Sequence, residues 1–141
     1  PSFDPQTKLF YVNAQEGYGY WYLALGEDGL PADHQGGGSV SLVSTSVLLA
    51  LDYRTGKVVW RRESGAGIGS PGILTTAGHL LFTGDVSGNL LALDPATGHV
   101  LWHTRGGGNL SNPPMTYQLD GRQYVLTGVD GVLYAWSLPS D

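Results

Sequence analysis

Apolar residues in this chain fall in short runs separated by turn-forming residues. Val47-Leu48-Leu49-Ala50-Leu51, Leu80-Leu81-Phe82 and Leu90-Leu91-Ala92-Leu93 are apolar at consecutive positions. A strand with one buried face alternates apolar and polar residues, whereas a strand covered on both faces does not. Glycine, proline, aspartate and asparagine punctuate these runs at short intervals, which predicts short strands joined by tight turns. No run approaches the roughly eighteen apolar residues that a membrane-spanning helix needs.

The runs recur. Ala50 to Trp60 reads ALDYRTGKVVW and Ala92 to Trp102 reads ALDPATGHVLW. Seven of eleven positions match, and Asp52 and Asp94, Gly56 and Gly98, and Trp60 and Trp102 are each 42 residues apart. Ser70-Pro71 precedes Asn112-Pro113 by the same interval, and HLLFTG at 79–84 resembles QYVLTG at 123–128. GNLLAL at 88–93 likewise resembles GVLYAW at 131–136, with one residue fewer between Gly128 and Gly131. A fixed period near forty residues is the signature of stacked structural repeats. Each copy has room for four strands, predicted in the second at Ile73–Thr76, Leu80–Gly84, Asn89–Asp94 and His99–Thr104.

The fold class expected is all-β: a partial β-propeller of about three four-stranded antiparallel blades, each covered by its neighbours on both faces. Residues 1–62 read as an incomplete blade with an insertion at 14–46, residues 63–104 as a complete blade, and residues 105–141 as an incomplete last blade. Within the insertion, Gly36-Gly37-Gly38 marks flexible or closely packed backbone. In the D-x-x-T-G units, the aspartate accepts backbone N–H groups and the glycine supplies the positive φ that closes the turn. The strand after each unit ends at a tryptophan, which buries ~150–250 Å² when docked. Asp52, Gly56 and Trp60, with Asp94, Gly98 and Trp102, are therefore the expected docking residues between blades.

Composition narrows the function classes. The 22 glycines, together with aromatics that are mostly Tyr and Trp, fit many short strands. The net charge is −5 and the seven Lys and Arg residues are scattered, which argues against a nucleic-acid surface. There is no cysteine, so no disulfide staples the chain. The first residue is Pro1 and no signal-peptide pattern precedes the repeats, which suits a processed chain or a part of something longer.

A-x-D-x-x-T-G-x-x-x-W resembles the tryptophan-docking repeat of quinoproteins that use pyrroloquinoline quinone (PQQ), which are eight-bladed propellers. LTTAGHLLFTGD at 74–85 is similar to the penultimate repeat of PQQ-dependent alcohol dehydrogenases, and NPPMTYQLDGRQYV at 112–125 to their last repeat. FDPQTKLFYVNAQ at 3–15 resembles the strand that opens the third blade from the end. The resemblance implies the C-terminal portion of a periplasmic dehydrogenase that oxidises an alcohol or sugar. It also implies PQQ on the propeller axis with a calcium ion held by Glu, Asn and Asp side chains, and an Arg that assists the quinone, all from earlier blades. No segment here matches those ligands, so the chain is expected to supply scaffold, to bind neither group alone and to show no turnover. Its partners would be the remaining blades and, for the isolated chain with open blade faces, further copies of itself. The alternative is a non-catalytic propeller of the same repeats serving as an interaction scaffold, as in outer-membrane assembly lipoproteins.

Two positions are cofactor-facing candidates by this resemblance. Gln15 follows the strand at 9–13, where related enzymes place a polar residue near the quinone. Ser70 stands where some members carry a Trp at the quinone edge. The remaining candidates have plainer readings. His34, His79, His99 and His103 lack zinc spacing, since residues four apart on a strand lie roughly 13 Å apart. DVSGN at 85–89 lacks the length and flanking helices of a calcium loop and reads as a hairpin turn. GAGIG at 65–69 does not open a helix, and with Gly106-Gly107-Gly108 it reads as an inter-blade loop. YGYWY at 18–22 is an aromatic cluster suited to a substrate funnel, a contact surface or packing on the propeller rim.

Overall fold

The computed structural model describes residues 1–31, 37–66, 71–85, 87–105, 107–108, 110 and 112–138. Those residues form eleven strands and no helix. β1 (Ser2–Asp4), β2 (Leu9–Leu23), β3 (Gly37–Asp52) and β4 (Val58–Ala66) make the first sheet, in that order. β5 (Leu74–Thr75), β6 (Leu81–Gly84), β7 (Asn89–Leu93) and β8 (Val100–Arg105) make the second. β9 (Met115–Leu119), β10 (Arg122–Val129) and β11 (Val132–Trp136) make a three-stranded third. Every pairing is antiparallel between sequence neighbours, so each sheet is a meander, as the repeat predicts.

The doubly apolar runs have a direct cause in the packing. Leu81, Leu91 and Leu93 of the second sheet pack against Leu9, Tyr11, Leu48 and Ala50 of the first. Phe82, Leu90 and Ala92, which point the opposite way, pack against Leu110, Val125 and Trp136 on the side of the third sheet. The second sheet is thus buried on both faces, and alternation vanishes from its sequence. Leu81 and Leu93 are fully buried, so truncating either to alanine costs about 2–5 kcal/mol.

The first sheet differs from the sequence expectation in two ways. It has four strands, because Ser2–Asp4 pairs with Leu9–Tyr11. Within the segment at 14–46, residues 14–23 and 37–46 do not interrupt the blade strands but prolong them. β2 and β3 stay paired from Leu9↔Asp52 out to Leu23↔Gly37, with one register shift at Tyr18/Gly19. The result is a two-stranded arm rising from the sheet. Its glycines are of the closely packed kind: a Cβ on Gly37 would run into the Tyr22 carbonyl oxygen, and one on Gly38 would lie 2.6 Å from the Tyr22 hydroxyl.

The third sheet owes its shorter β10–β11 connection to turn chemistry. Asp130 and Gly131 have φ of 44° and 81°, and Asp120 and Gly121 between β9 and β10 have 50° and 77°. Two consecutive left-handed residues make the type I′ hairpin, for which Asp-Gly is a preferred pair.

Candidate functional site

The repeated turn forms a joint between the first two sheets. Asp52 Oδ1 accepts from the backbone N–H of Arg54 at 3.0 Å and of Thr55 at 2.8 Å, and from the Thr55 hydroxyl at 3.0 Å. The Thr55 backbone N–H is foremost in holding the Asp52 carboxyl below its ordinary range, and the Thr55 hydroxyl adds to it. Gly56 closes the turn at φ 68°. Asp94 repeats the arrangement with Ala96 and Thr97, at 2.7 and 3.2 Å, and Gly98 closes that turn at φ 72°.

Trp60, at the outer edge of the first sheet, reaches this second turn. Its Nε1 donates to the Pro95 carbonyl at 3.0 Å, and its ring lies so close over Gly98 that a Cβ there would sit 2.8 Å from Cε3. The buried Tyr11 hydroxyl donates to the same carbonyl at 2.9 Å. It also lies 2.9 Å from Thr7 Oγ1, which donates to Asp4 Oδ2 at 3.0 Å. Burial pushes the Tyr11 phenol above its usual range, against the hydrogen bond to Thr7. One carbonyl, with two lone pairs, therefore receives two aromatic side chains of the neighbouring sheet.

Trp102 occupies the matching position one repeat later but has a different environment. It meets Trp136 edge to face, with centroids 6.2 Å apart, and remains 45% exposed. Trp136 stands at the position of Leu93 and donates from Nε1 to Thr127 Oγ1 at 3.1 Å.

Gln15 sits on β2 where the arm leaves the sheet, and its Nε2 donates to Ser44 Oγ at 2.6 Å across the hairpin. It ends a shallow cleft of about 280 Å³ floored by Gly17 and Gly19, edged by Ser39, Ser41 and Ser44, and closed by Trp21. No side chain fits on that floor, since a Cβ would lie 2.5 Å from the Val43 carbonyl oxygen at Gly17 and 2.7 Å from that of Val40 at Gly19. By strand alternation the opposite face of the arm carries Tyr18, Tyr20 and Tyr22. At its base, Arg61 of β4 spans Glu16 at 2.7 Å and Glu63 at 2.9 Å, and these carboxylates, Glu16 foremost, raise its pKa further. Ser70 and His34 lie outside the described residues.

Asp85 caps the β6–β7 turn from within. Its Oδ1 accepts from Ser87 N at 2.9 Å and Asn89 N at 3.0 Å, and its Oδ2 accepts from Asn89 Nδ2 at 2.7 Å. Among the described residues no three His, Asp or Glu side chains converge as metal ligands would. Asp52 and Asp85 direct their oxygens to their own turns, and the Gln15 amide donates to Ser44.

Stacked antiparallel meanders coupled through a repeated turn define blades of a β-propeller. Residues 4–138 match the PQQ_2 family, described as outer membrane protein assembly factor BamB, and the chain belongs to that family. It is 33% identical over 96% of its length to the quinoprotein alcohol dehydrogenase PedH of Pseudomonas putida, and 32% identical to a quinoprotein ethanol dehydrogenase of Pseudomonas aeruginosa. It spans 24% and 22% of those relatives. Among solved structures, the quinohemoprotein alcohol dehydrogenase of Comamonas testosteroni superposes with a TM-score of 0.71 at 32% identity, over 91% of this chain and 21% of that one. A europium-containing methanol dehydrogenase superposes at 0.69 with 28% identity, over 89% of this chain and 23% of that one. The resemblance to PQQ-dependent alcohol dehydrogenases read from the repeats is matched by these similarities.

Proposed function

We propose that this chain forms three blades of a periplasmic PQQ-dependent alcohol or sugar dehydrogenase, supplying scaffold and part of the loop face instead of the quinone and metal ligands. The carrying observation is similarity along 96% of the chain to an alcohol dehydrogenase of which it spans only 24%. The docking joint gives this role a physical basis, since it fixes one blade on the next through Trp60 and Pro95. PQQ would supply the redox chemistry in the whole protein, and the protein would supply binding and orientation. The remaining blades are the partners this role requires.

The test uses the full-length protein that carries these blades, reconstituted with PQQ and calcium or a lanthanide. Alcohol-dependent reduction of an artificial electron acceptor is expected, whereas the 141-residue chain alone gives neither turnover nor saturable PQQ binding. Saturable PQQ binding to this chain would overturn the scaffold assignment. A second reading, a non-catalytic propeller acting as an interaction scaffold, is favoured by the description of the family it matches. Under that reading the full-length protein binds no PQQ in the same titration.

A further inference from the structure

The sheets have two rims. The D-x-x-T-G turns and the Trp60–Pro95 joint lie at one end of the strands, and the arm leaves from the other, since β2 and β3 pair from Leu9↔Asp52 to Leu23↔Gly37. The first strands of neighbouring sheets converge. Thr75 Oγ1 of β5 donates to the Phe3 carbonyl of β1 at 3.1 Å and lies 2.7 Å from Ser2 Oγ. Strands that converge in this way surround the axis of a propeller. The segments 71–73 and 112–114, which lead into β5 and β9, therefore bound the axis at the arm rim, and they touch: a Cβ on Gly72 would run into Pro113.

One side chain of the first sheet reaches this place. Asn13, half-buried on β2, donates from Nδ2 to the Pro71 carbonyl. From the second sheet, Thr83 Oγ1 donates to the Gly72 carbonyl at 3.1 Å. The two bonds hold the successive peptide planes on either side of Gly72. Peptide units are rigid, so holding both planes fixes φ and ψ of the residue between them. That residue needs fixing, because contact with Pro113 demands a glycine and glycine has the widest backbone freedom.

Asn13 is also where the repeat departs from itself. KLFYVN at 8–13 ends on Asn13, whereas HLLFTG at 79–84 and QYVLTG at 123–128 end on Gly84 and Gly128. A Cβ on Gly84 would lie 2.9 Å from Leu110 and 3.1 Å from Pro71, and one on Gly128 would lie 2.7 Å from the Asn112 amide. Two of the three sheets thus form with no side chain at this strand position, so a blade does not require the Asn13 amide.

We propose that Asn13 is a positioning residue for the axial mouth of the loop face. By holding the Pro71 carbonyl it sets the segment entering the second sheet and, through the contact of Gly72 with Pro113, the segment entering the third. The inference rests on the dehydrogenase reading for the ligand that this mouth serves, PQQ, and on the geometry alone for the placement of the segments.

The experiment compares the full-length protein with its Asn13→Ala and Asn13→Asp variants. The first removes the amide, and the second keeps its shape but replaces the donor with an acceptor. Hydrogen exchange is followed in peptides covering 71–75 and 112–116, and PQQ is titrated in the presence of calcium. In both variants exchange at the two segments is expected to quicken about five-fold, as loss of one ordinary hydrogen bond does, while β7 and the melting midpoint of the PQQ-free protein stay as in the wild type. The PQQ dissociation constant is expected to rise by a similar factor. Thr83→Val, which frees the other peptide plane, should give the same pattern. Unchanged exchange at 71–75 would overturn the proposal, and so would acceleration that extends equally to β7. Faster exchange at the segments with PQQ affinity unchanged would reduce Asn13 to a plain fastener and refute the positioning role. A wild type that binds no PQQ would sink the dehydrogenase reading, and the exchange data would then decide the placement of the segments by themselves.

Discussion

Trp60 and Gly98 should couple energetically, and the size of that coupling follows from their contact. Trp60→Phe keeps an aromatic ring over Gly98 but removes the Nε1 donor to Pro95. The carbonyl still accepts from Tyr11, so no acceptor is orphaned, and the expected loss is about 1 kcal/mol. Trp60→Ala removes the ring as well. Full truncation of a buried Trp costs about 3–5 kcal/mol, and Trp60 is only partly buried, so about 2–4 kcal/mol is expected. Gly98→Ala meets two penalties. The left-handed φ of 72° costs about 1–2 kcal/mol, and a Cβ 2.8 Å from the indole must push the ring aside at a further ~1–3 kcal/mol. In the double variant the second penalty disappears with the ring. Its destabilisation should fall short of the sum of the single losses by about 1–3 kcal/mol. Urea unfolding followed by far-UV circular dichroism measures all four corners of the cycle. Additivity within about 0.5 kcal/mol would refute the joint as described.

Three further outcomes follow from the same structure. Trp102→Ala should destabilise less than Trp60→Ala by about 1 kcal/mol or more, because Trp102 is 45% exposed and has no receiving carbonyl in its contact with Trp136; equal losses in urea would contradict this. Asp52 has a lowered folded pKa, so its contribution is present above the unfolded value of about 3.9 and is lost as pH falls through the lower folded value. Asp52→Asn should therefore reduce the acid dependence of the melting midpoint. Tyr11 has a raised folded pKa, so its contribution is complete below about pH 10 and is lost as pH rises through the higher folded value. Tyr11→Phe should remove that alkaline limb, and absorbance at tyrosinate wavelengths during a pH titration will report it.

The fold was legible because repetition and burial leave different marks on a sequence. The 42-residue interval gives the blade period, and the doubly apolar run Leu90-Leu91-Ala92-Leu93 gives a strand covered on both sides. The turn at Asp94–Gly98 was readable from two residue types, while its receiving atom was not. Pro95 offers a backbone carbonyl, which every residue has, so no side chain advertises it. The arm at 14–46 was harder for a related reason. Gly36-Gly37-Gly38 reads as flexible or closely packed backbone without saying which, and nothing marks Gly17 or Gly19; in the paired strands Gly17, Gly19, Gly37 and Gly38 serve close approach, with cross-strand backbone or the Tyr22 ring where a side chain would be. The candidate site residues were less legible than the fold. The place of Gln15 at the foot of the arm follows from a pairing of β2 with β3 whose distal half has no apolar core to betray it.

The convergence of Trp60 and Tyr11 on a main-chain oxygen also bears on how such rings can change over evolutionary time. A coupling that reads only a carbonyl and a nearby glycine places almost no demand on the side chains of the blade that receives it. Blades can then be duplicated, lost or exchanged between homologous rings while the fastening stays compatible, provided the receiving turn keeps its shape. Sequence drift in the loops above the joint is equally free of it. A ring fastened this way can diversify its chemistry at one rim without renegotiating its seams.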